Sequence, residues 1–126
     1  MKNKQLNAKG KGEYSYDYDN DIAVFKVKDR NYLKSIDFDN FIIDIDDEGF
    51  ITGVRVIDAS KVFKINKIGL KNMSNWEFNS SIEDKVISLQ LRFSCILRNK
   101  QINQGENFVR EALDSSIHNS EVKCTA

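Results

Sequence analysis

From Lys85 to Arg98 the chain has its cleanest alternation of apolar and polar residues. Ile87, Leu89, Leu91, Phe93, Cys95 and Leu97 fall on one face of an extended segment, and Ser88, Gln90, Arg92, Ser94 and Arg98 on the other. A helix would scatter those apolar side chains around its axis, whereas period two lines them up on one side, so the stretch buries its apolar face only as a strand. A strand this long needs neighbours for its backbone and a cover for its face. It is therefore expected to be a major strand of an antiparallel sheet lying under helices.

A second stretch, Phe41 to Ser60, reads FIIDIDDEGFITGVRVIDAS. Phe41, Ile43 and Ile45 share one side of an extended chain, Ile42, Asp44 and Asp46 the other, and the return run Phe50 to Ile57 is rich in β-branched residues. Asp47, Glu48 and Gly49 supply turn chemistry, with Gly49 free to take a positive φ. An antiparallel hairpin over residues 41 to 57 follows, with a bulge or close backbone approach at Gly53. Asp58 and Ser60 are both competent N-caps, so a helix is expected to begin near Ala59.

Around these two features the other elements can be placed. Tyr14, Tyr16 and Tyr18 share one face of an extended segment, Asp19 to Asp21 reads as a turn, and Ile22 to Val27 as a strand. Tyr32 to Ile36 is a short strand. Val62, Phe63, Ile65, Ile68 and Leu70 lie among lysines in a pattern suited to one or two short helices. Trp76 and Phe78 alternate with Glu77 and Asn79 as a strand, Ser80 to Asp84 reads as a turn, and Phe108 to Leu113 as a short helix. Met1 to Gly12 holds four lysines, two glycines and no acid. It is expected to be a flexible basic tail, 114–126 a disordered tail, and 13–113 a single domain.

The chain has 19 Lys and Arg against 19 Asp and Glu. That neutrality gives no excess positive charge to favour nucleic acid or an anionic membrane surface. No apolar run approaches a membrane span, and the charged amino terminus has no apolar segment behind it, so a cytoplasmic setting is expected. Two cysteines far apart, Cys95 in the alternating strand and Cys124 in the polar end, read as free thiols, the first buried and the second exposed.

The order YDYDNDIAVFKV followed by IIDIDDEGFITGVRVIDAS resembles the family catalogued as domain of unknown function 2283. Its members show a tyrosine and an aspartate before a short strand, a D-x-D-x-x-G turn, a G-x-E-I strand and an alanine-serine ending. The resemblance covers Tyr14 to Ser60, and Arg55 departs from it by standing where the family has a glutamate. It implies a small β-rich domain, found beside genes that look like toxins of toxin and antitoxin pairs. No catalytic residues come with it.

Asp44, Asp46, Glu48 and Gly49 stand at positions one, three, five and six of a calcium-loop pattern, with Ile51 at the eighth. Arg55 holds the twelfth, where a bidentate carboxylate closes a complete loop, and the flanks are strand-like. Calcium is thus the metal to consider, with Asp44, Asp46 and Glu48 as ligands, against a hairpin turn whose acids bond their own backbone. Asp17, Asp19 and Asp21 form a weaker acidic cluster. His118 lies in the expected tail, away from partners for a zinc site or a triad. Tyr14, Tyr16, Tyr18 and Trp76 are candidate partner-binding residues, against ordinary packing of a sheet.

The expectation is an α+β fold, a mainly antiparallel sheet of about five or six strands with one or two short helices packed on one face. The leading function is a non-catalytic protein-interaction module, antitoxin-like by the family resemblance, with a protein partner or a homodimer and no nucleic acid or membrane. Calcium binding at the acidic turn is the alternative, and an enzyme with an unrecognised site the third.

Overall fold

The structure is a computed structural model that describes residues 4–9, 11–112 and 117–126. In chain order the described elements are β1 (Lys4–Ala8), β2 (Gly12–Asp17), β3 (Ile22–Val27), β4 (Tyr32–Asp37), β5 (Phe41–Asp46), β6 (Ile51–Val56), α1 (Ala59–Val62) and α2 (Lys67–Lys71). They continue with β7 (Met73–Glu83), β8 (Val86–Leu97), β9 (Lys100–Glu111) and β10 (Ser120–Thr125). The fold is α+β, mainly antiparallel, with two short helices. Its strands divide between two five-stranded sheets, in the orders β2-β3-β6-β5-β4 and β1-β10-β7-β8-β9.

The sheets face each other across one core, because alternation gives every central strand one apolar side. Phe25 meets Trp76, and Phe41 meets Phe108, with ring centroids 5.5 and 4.3 Å apart. The segment of α1 and α2 packs on the core, with Phe63, the residue after α1, edge-on against Phe93 at 4.9 Å and Leu70 of α2 fully buried. Asn66 caps α2 by accepting a hydrogen bond from the Ile68 amide.

The expected hairpin is present: β5 and β6 pair antiparallel around Asp47 to Gly49, with Gly49 at φ 88°. The bulge falls one residue before Gly53. Asp44 pairs with Gly53 and Ile45 with Ile51, leaving Thr52 as the extra residue. The long alternating strand is β8, bounded by two-residue loops, Asp84 and Lys85 on one side and Arg98 and Asn99 on the other. All four loop residues have positive φ, the tight-turn geometry that matches strand twist.

Five expectations are corrected. Lys4–Ala8 is a strand rather than a mobile tail, paired in parallel with β10. Ser120–Thr125 is a strand rather than a disordered tail, inserted between β1 and β7. Its short alternation turns Ser120, Val122 and Cys124 inward, so Cys124 is buried and its thiol pushed up to about 11 by that burial. The turn expected at Ser80 to Asp84 falls at Asp84 and Lys85, since β7 carries Ser80 and Ile82 into the core. Phe108 belongs to β9 and not to a helix. Leu113 and residues 114–116, part of the expected helix and tail, lie outside the described residues.

Candidate functional site

The tyrosine, aspartate and serine of the amino-terminal half converge on one carboxylate. Tyr16 donates its hydroxyl proton to Asp21 Oδ1 at 2.6 Å, Ser60 Oγ donates to Oδ2 at 2.6 Å, and the Ser60 amide donates to Oδ1 at 3.0 Å. The Ala59 amide adds a bond to the Asp21 carbonyl at 2.9 Å. Asp21 thus caps α1 from a distant turn, the role that the adjacent Asp58 does not fill because its backbone is left-handed and its side chain makes no cap bond. Burial pushes the Asp21 carboxyl upward, but the bonds from Ser60 and Tyr16 outweigh it and hold the group below its ordinary range. The Tyr16 phenol is pushed up, first by burial and then by its bond to Asp21. With three donors on its carboxylate, Asp21 locks β2, β3 and α1 together.

The acidic turn is built the same way. Asp46 is fully buried; its Oδ1 accepts from the amides of Glu48 and Phe50 at 3.0 and 2.9 Å, and its Oδ2 accepts from Arg30 Nε at 2.7 Å. The Arg30 guanidinium also reaches Glu48 at 3.2 Å and lies over the Phe50 ring. Asp44 points to the outer side of the sheet, where its Oδ1 accepts from Arg55 at 2.8 Å and Ser35 Oγ at 2.6 Å. The three proposed ligands are therefore engaged by two guanidiniums. Among the described residues no group of three or more His, Cys, Asp or Glu gathers as a metal site. His118 packs against the turn instead of lying free. Its Cδ2 is 3.4 Å from where a Cβ on Gly49 would stand, and it lines a cleft of about 440 Å³ with Lys34, Asp47 and Glu48.

Of the four candidate partner-binding aromatics, the structure turns two into the interior. Trp76 is buried against Phe25 and Phe78, and Tyr14 packs on Phe25 while donating to the Leu70 carbonyl at 2.7 Å, which ties α2 to β2. Tyr16 is half-buried. Tyr18 alone is well exposed, with Lys67 and Lys71 over its ring.

What the sequence reading passed over is the other sheet's outer face and edge. The paired positions place Asn7, Lys123, Asn79, Gln90 and Asn107 in one row across all five strands. Asn75, Ser94 and Asn103 form a second row, with Ser94 Oγ bonded to Asn103 Oδ1 at 2.7 Å. Two shallow clefts of about 490 and 470 Å³ lie over these rows. At the border runs β9, twelve residues long, whose pairing with β8 has no bulge and which has no second strand neighbour among the described residues. Its largely polar residues hide it in the sequence, because Phe108 is the one residue of the twelve that the core buries.

Residues 13–60 match the model of a family described as protein of unknown function (DUF2283). A protein of Methanosarcina mazei named "Putative hypoxanthine phosphoribosyltransferase" is 32% identical over 86 residues, 68% of this chain and 70% of that protein. The chain belongs to the DUF2283 family. An uncharacterised protein of Methanocaldococcus jannaschii is 33% identical over 70 residues, 55% of this chain and 60% of its own length. No solved structure matches. The DUF2283 match spans the sheet β2-β3-β6-β5-β4 except Gly12 and ends at Ser60, within the first turn of α1. Its Tyr16, Asp21, Asp46 and Gly49 therefore do structural work in this chain, holding one sheet and its turn. Strands β7 to β10 fall outside that match. Among the described residues no helix is long and apolar enough to cross a membrane.

Proposed function

We propose that this DUF2283 protein is a protein-interaction module that binds an extended strand along the open edge of β9. The observation that carries the reading is the edge itself. Along twelve regular residues every second one offers its amide and carbonyl groups outward, with no proline and no bulge to blunt them, and of the charges Lys100, Glu106, Arg110 and Glu111 only Glu106 lies mid-strand. The other edges are shorter: β1 has five residues and β2 and β4 six each, and β4 is broken by an irregularity between Tyr32 and Lys34. Strand addition suits such an edge, since backbone bonds supply affinity and alternate side chains supply selectivity. Val109, 60% exposed beside the cleft over the amide rows, gives the incoming strand an apolar contact.

The test is capture from the native cell with wild-type and Val109→Lys protein as baits, followed by reconstitution of the recovered complex from purified components. Slowed hydrogen exchange at β9 amides in that complex, with weaker recovery by the variant, supports the reading. Two other activities belong in the same experiment. The name of the Methanosarcina mazei relative calls for an assay of hypoxanthine with phosphoribosyl pyrophosphate, and turnover would overturn the non-catalytic reading. Calcium at Asp44, Asp46 and Glu48 would have to displace Arg30 and Arg55, so the expected result is weak binding that Arg55→Ala strengthens. Tight binding insensitive to Asp46→Ala would defeat that assignment.

A further inference from the structure

We propose that the strand received by β9 is β9 of a second copy of this chain, paired antiparallel about a two-fold axis through Gly105. The inference rests on the edge-binding reading and names the partner.

A two-fold axis perpendicular to a sheet keeps each face on its own side, so a residue can face only a copy residue of the same parity. For β9 this leaves few registers. Centred on Gly105, the overlap runs from Lys100 to Arg110. On the inner side Ile102 faces Phe108 and Gln104 faces Glu106. On the outer side Asn103 faces Asn107 and Gln101 faces Val109. Centred on Gln104, Ile102 would face Glu106 and Lys100 would face Phe108. Centred on Glu106, that carboxylate would face its own copy and Ile102 would face Arg110. Of these three, the Gly105 register alone sets apolar on apolar and amide on amide without opposing carboxylates, and it overlaps more of the strand than a register centred near either end.

Three features of the structure fit that register. Gly105 places no side chain at the axis, and β8 already requires a glycine there, because a Cβ would stand 2.9 Å from the Leu91 carbonyl oxygen. Ile102 is only half-buried in the single chain, and the Phe108 of the second copy would cover it. The row Asn7, Lys123, Asn79, Gln90 and Asn107 would continue through Asn103 and Ser94 of the copy, giving one ten-stranded sheet with an unbroken polar face. The single unfavourable pairing, Lys100 with Arg110, falls at the exposed ends, and Arg110 leans over the Phe41 ring.

Sedimentation of the full chain over a dilution series tests the proposal. Wild type should reach twice the 14.5 kDa chain mass at the upper concentrations and dissociate on dilution. Asn103 and Asn107 are both exposed. Asn103→Lys with Asn107→Lys sets like charges opposite each other twice and should leave only monomer with unchanged circular dichroism. Asn103→Lys with Asn107→Glu sets opposite charges across the same pairs and should restore the dimer, which keeps the outcome decisive even if the double-lysine chain misfolds. A wild-type monomer at every concentration, a dimer that survives the double-lysine change, or a lysine–glutamate variant that stays monomeric overturns the proposal. A monomer that still forms a reconstituted complex protecting β9 overturns the self-pairing and leaves the edge-binding reading standing; a monomer without such a complex defeats both.

Discussion

Asp46 and Asp21 show how a buried carboxylate earns its place. Each satisfies backbone amides that a turn or a helix start would otherwise strand, and each has a charged or hydroxyl partner. Asp46→Asn keeps the shape but leaves the Arg30 guanidinium, 20% exposed, with only the exposed Glu48 carboxylate as its counter-charge. The expected cost is about 3 kcal/mol, read from urea unfolding. Asp21 titrates below its ordinary 3.8 in the folded chain. It therefore adds stability that is present above that pH and lost as pH falls toward the folded value. Tyr16 titrates above its ordinary 10.0, so its contribution is present below pH 10 and lost as pH rises through the raised value. Asp21→Asn should flatten the acid limb of a plot of melting temperature against pH, and Tyr16→Phe the alkaline limb. An unchanged acid limb in Asp21→Asn would show that Asp21 does not set it.

The loops decide register at the scale of single elements. Gly49 at φ 88° turns the β5–β6 hairpin, and Gly49→Val forces a β-branched residue into that conformation, at an expected loss of about 2 kcal/mol. Wild-type melting in that variant would mean that the turn lies elsewhere. The β7–β8 loop offers the opposite change. Lys85 sits at φ 71° beside Asp84 at φ 51°, where Asp-Gly is the favoured pair, so Lys85→Gly should stabilise the chain by about 0.5–1 kcal/mol. A drop in melting temperature would indicate that the Lys85 side chain contributes more than its backbone conformation costs.

For the whole molecule, the consequence of two sheets sharing one core is mutual dependence. A fragment of residues 11–62 carries the entire family match, yet it would expose Phe25, Phe41, Ile43 and Val54 to water, all fully buried in the complete chain. It should lack a cooperative thermal transition, whereas the full chain should melt once. Removing 117–126 takes out β10 from between β1 and β7, and uncovers Phe78 and Ile82 beside it. That truncation should abolish the native transition, as trimming a loose tail would not. A truncated chain that melts like the full one would refute the placement of β10.

Periodicity, turn residues and caps made β8, the 41–57 hairpin, the short helices and the mainly antiparallel α+β class legible, because each depends on neighbours in the chain. The strands at the two ends are illegible for the same reason. Lys4–Ala8 and Ser120–Thr125 are polar and short, and their strand state comes from pairing with each other across more than a hundred residues of chain and, for Ser120–Thr125, from pairing with β7 as well. No local pattern records such a pairing. The candidate residues divide likewise. Acidic residues at one, three and five advertise a cation, but only the folded chain brings Arg30 and Arg55 to them, and only packing turns Tyr14 and Trp76 inward. The edge of β9 is silent in the sequence, since a strand that buries only Phe108 among its twelve residues needs no apolar stripe; its exposure was decided by where the sheet ends.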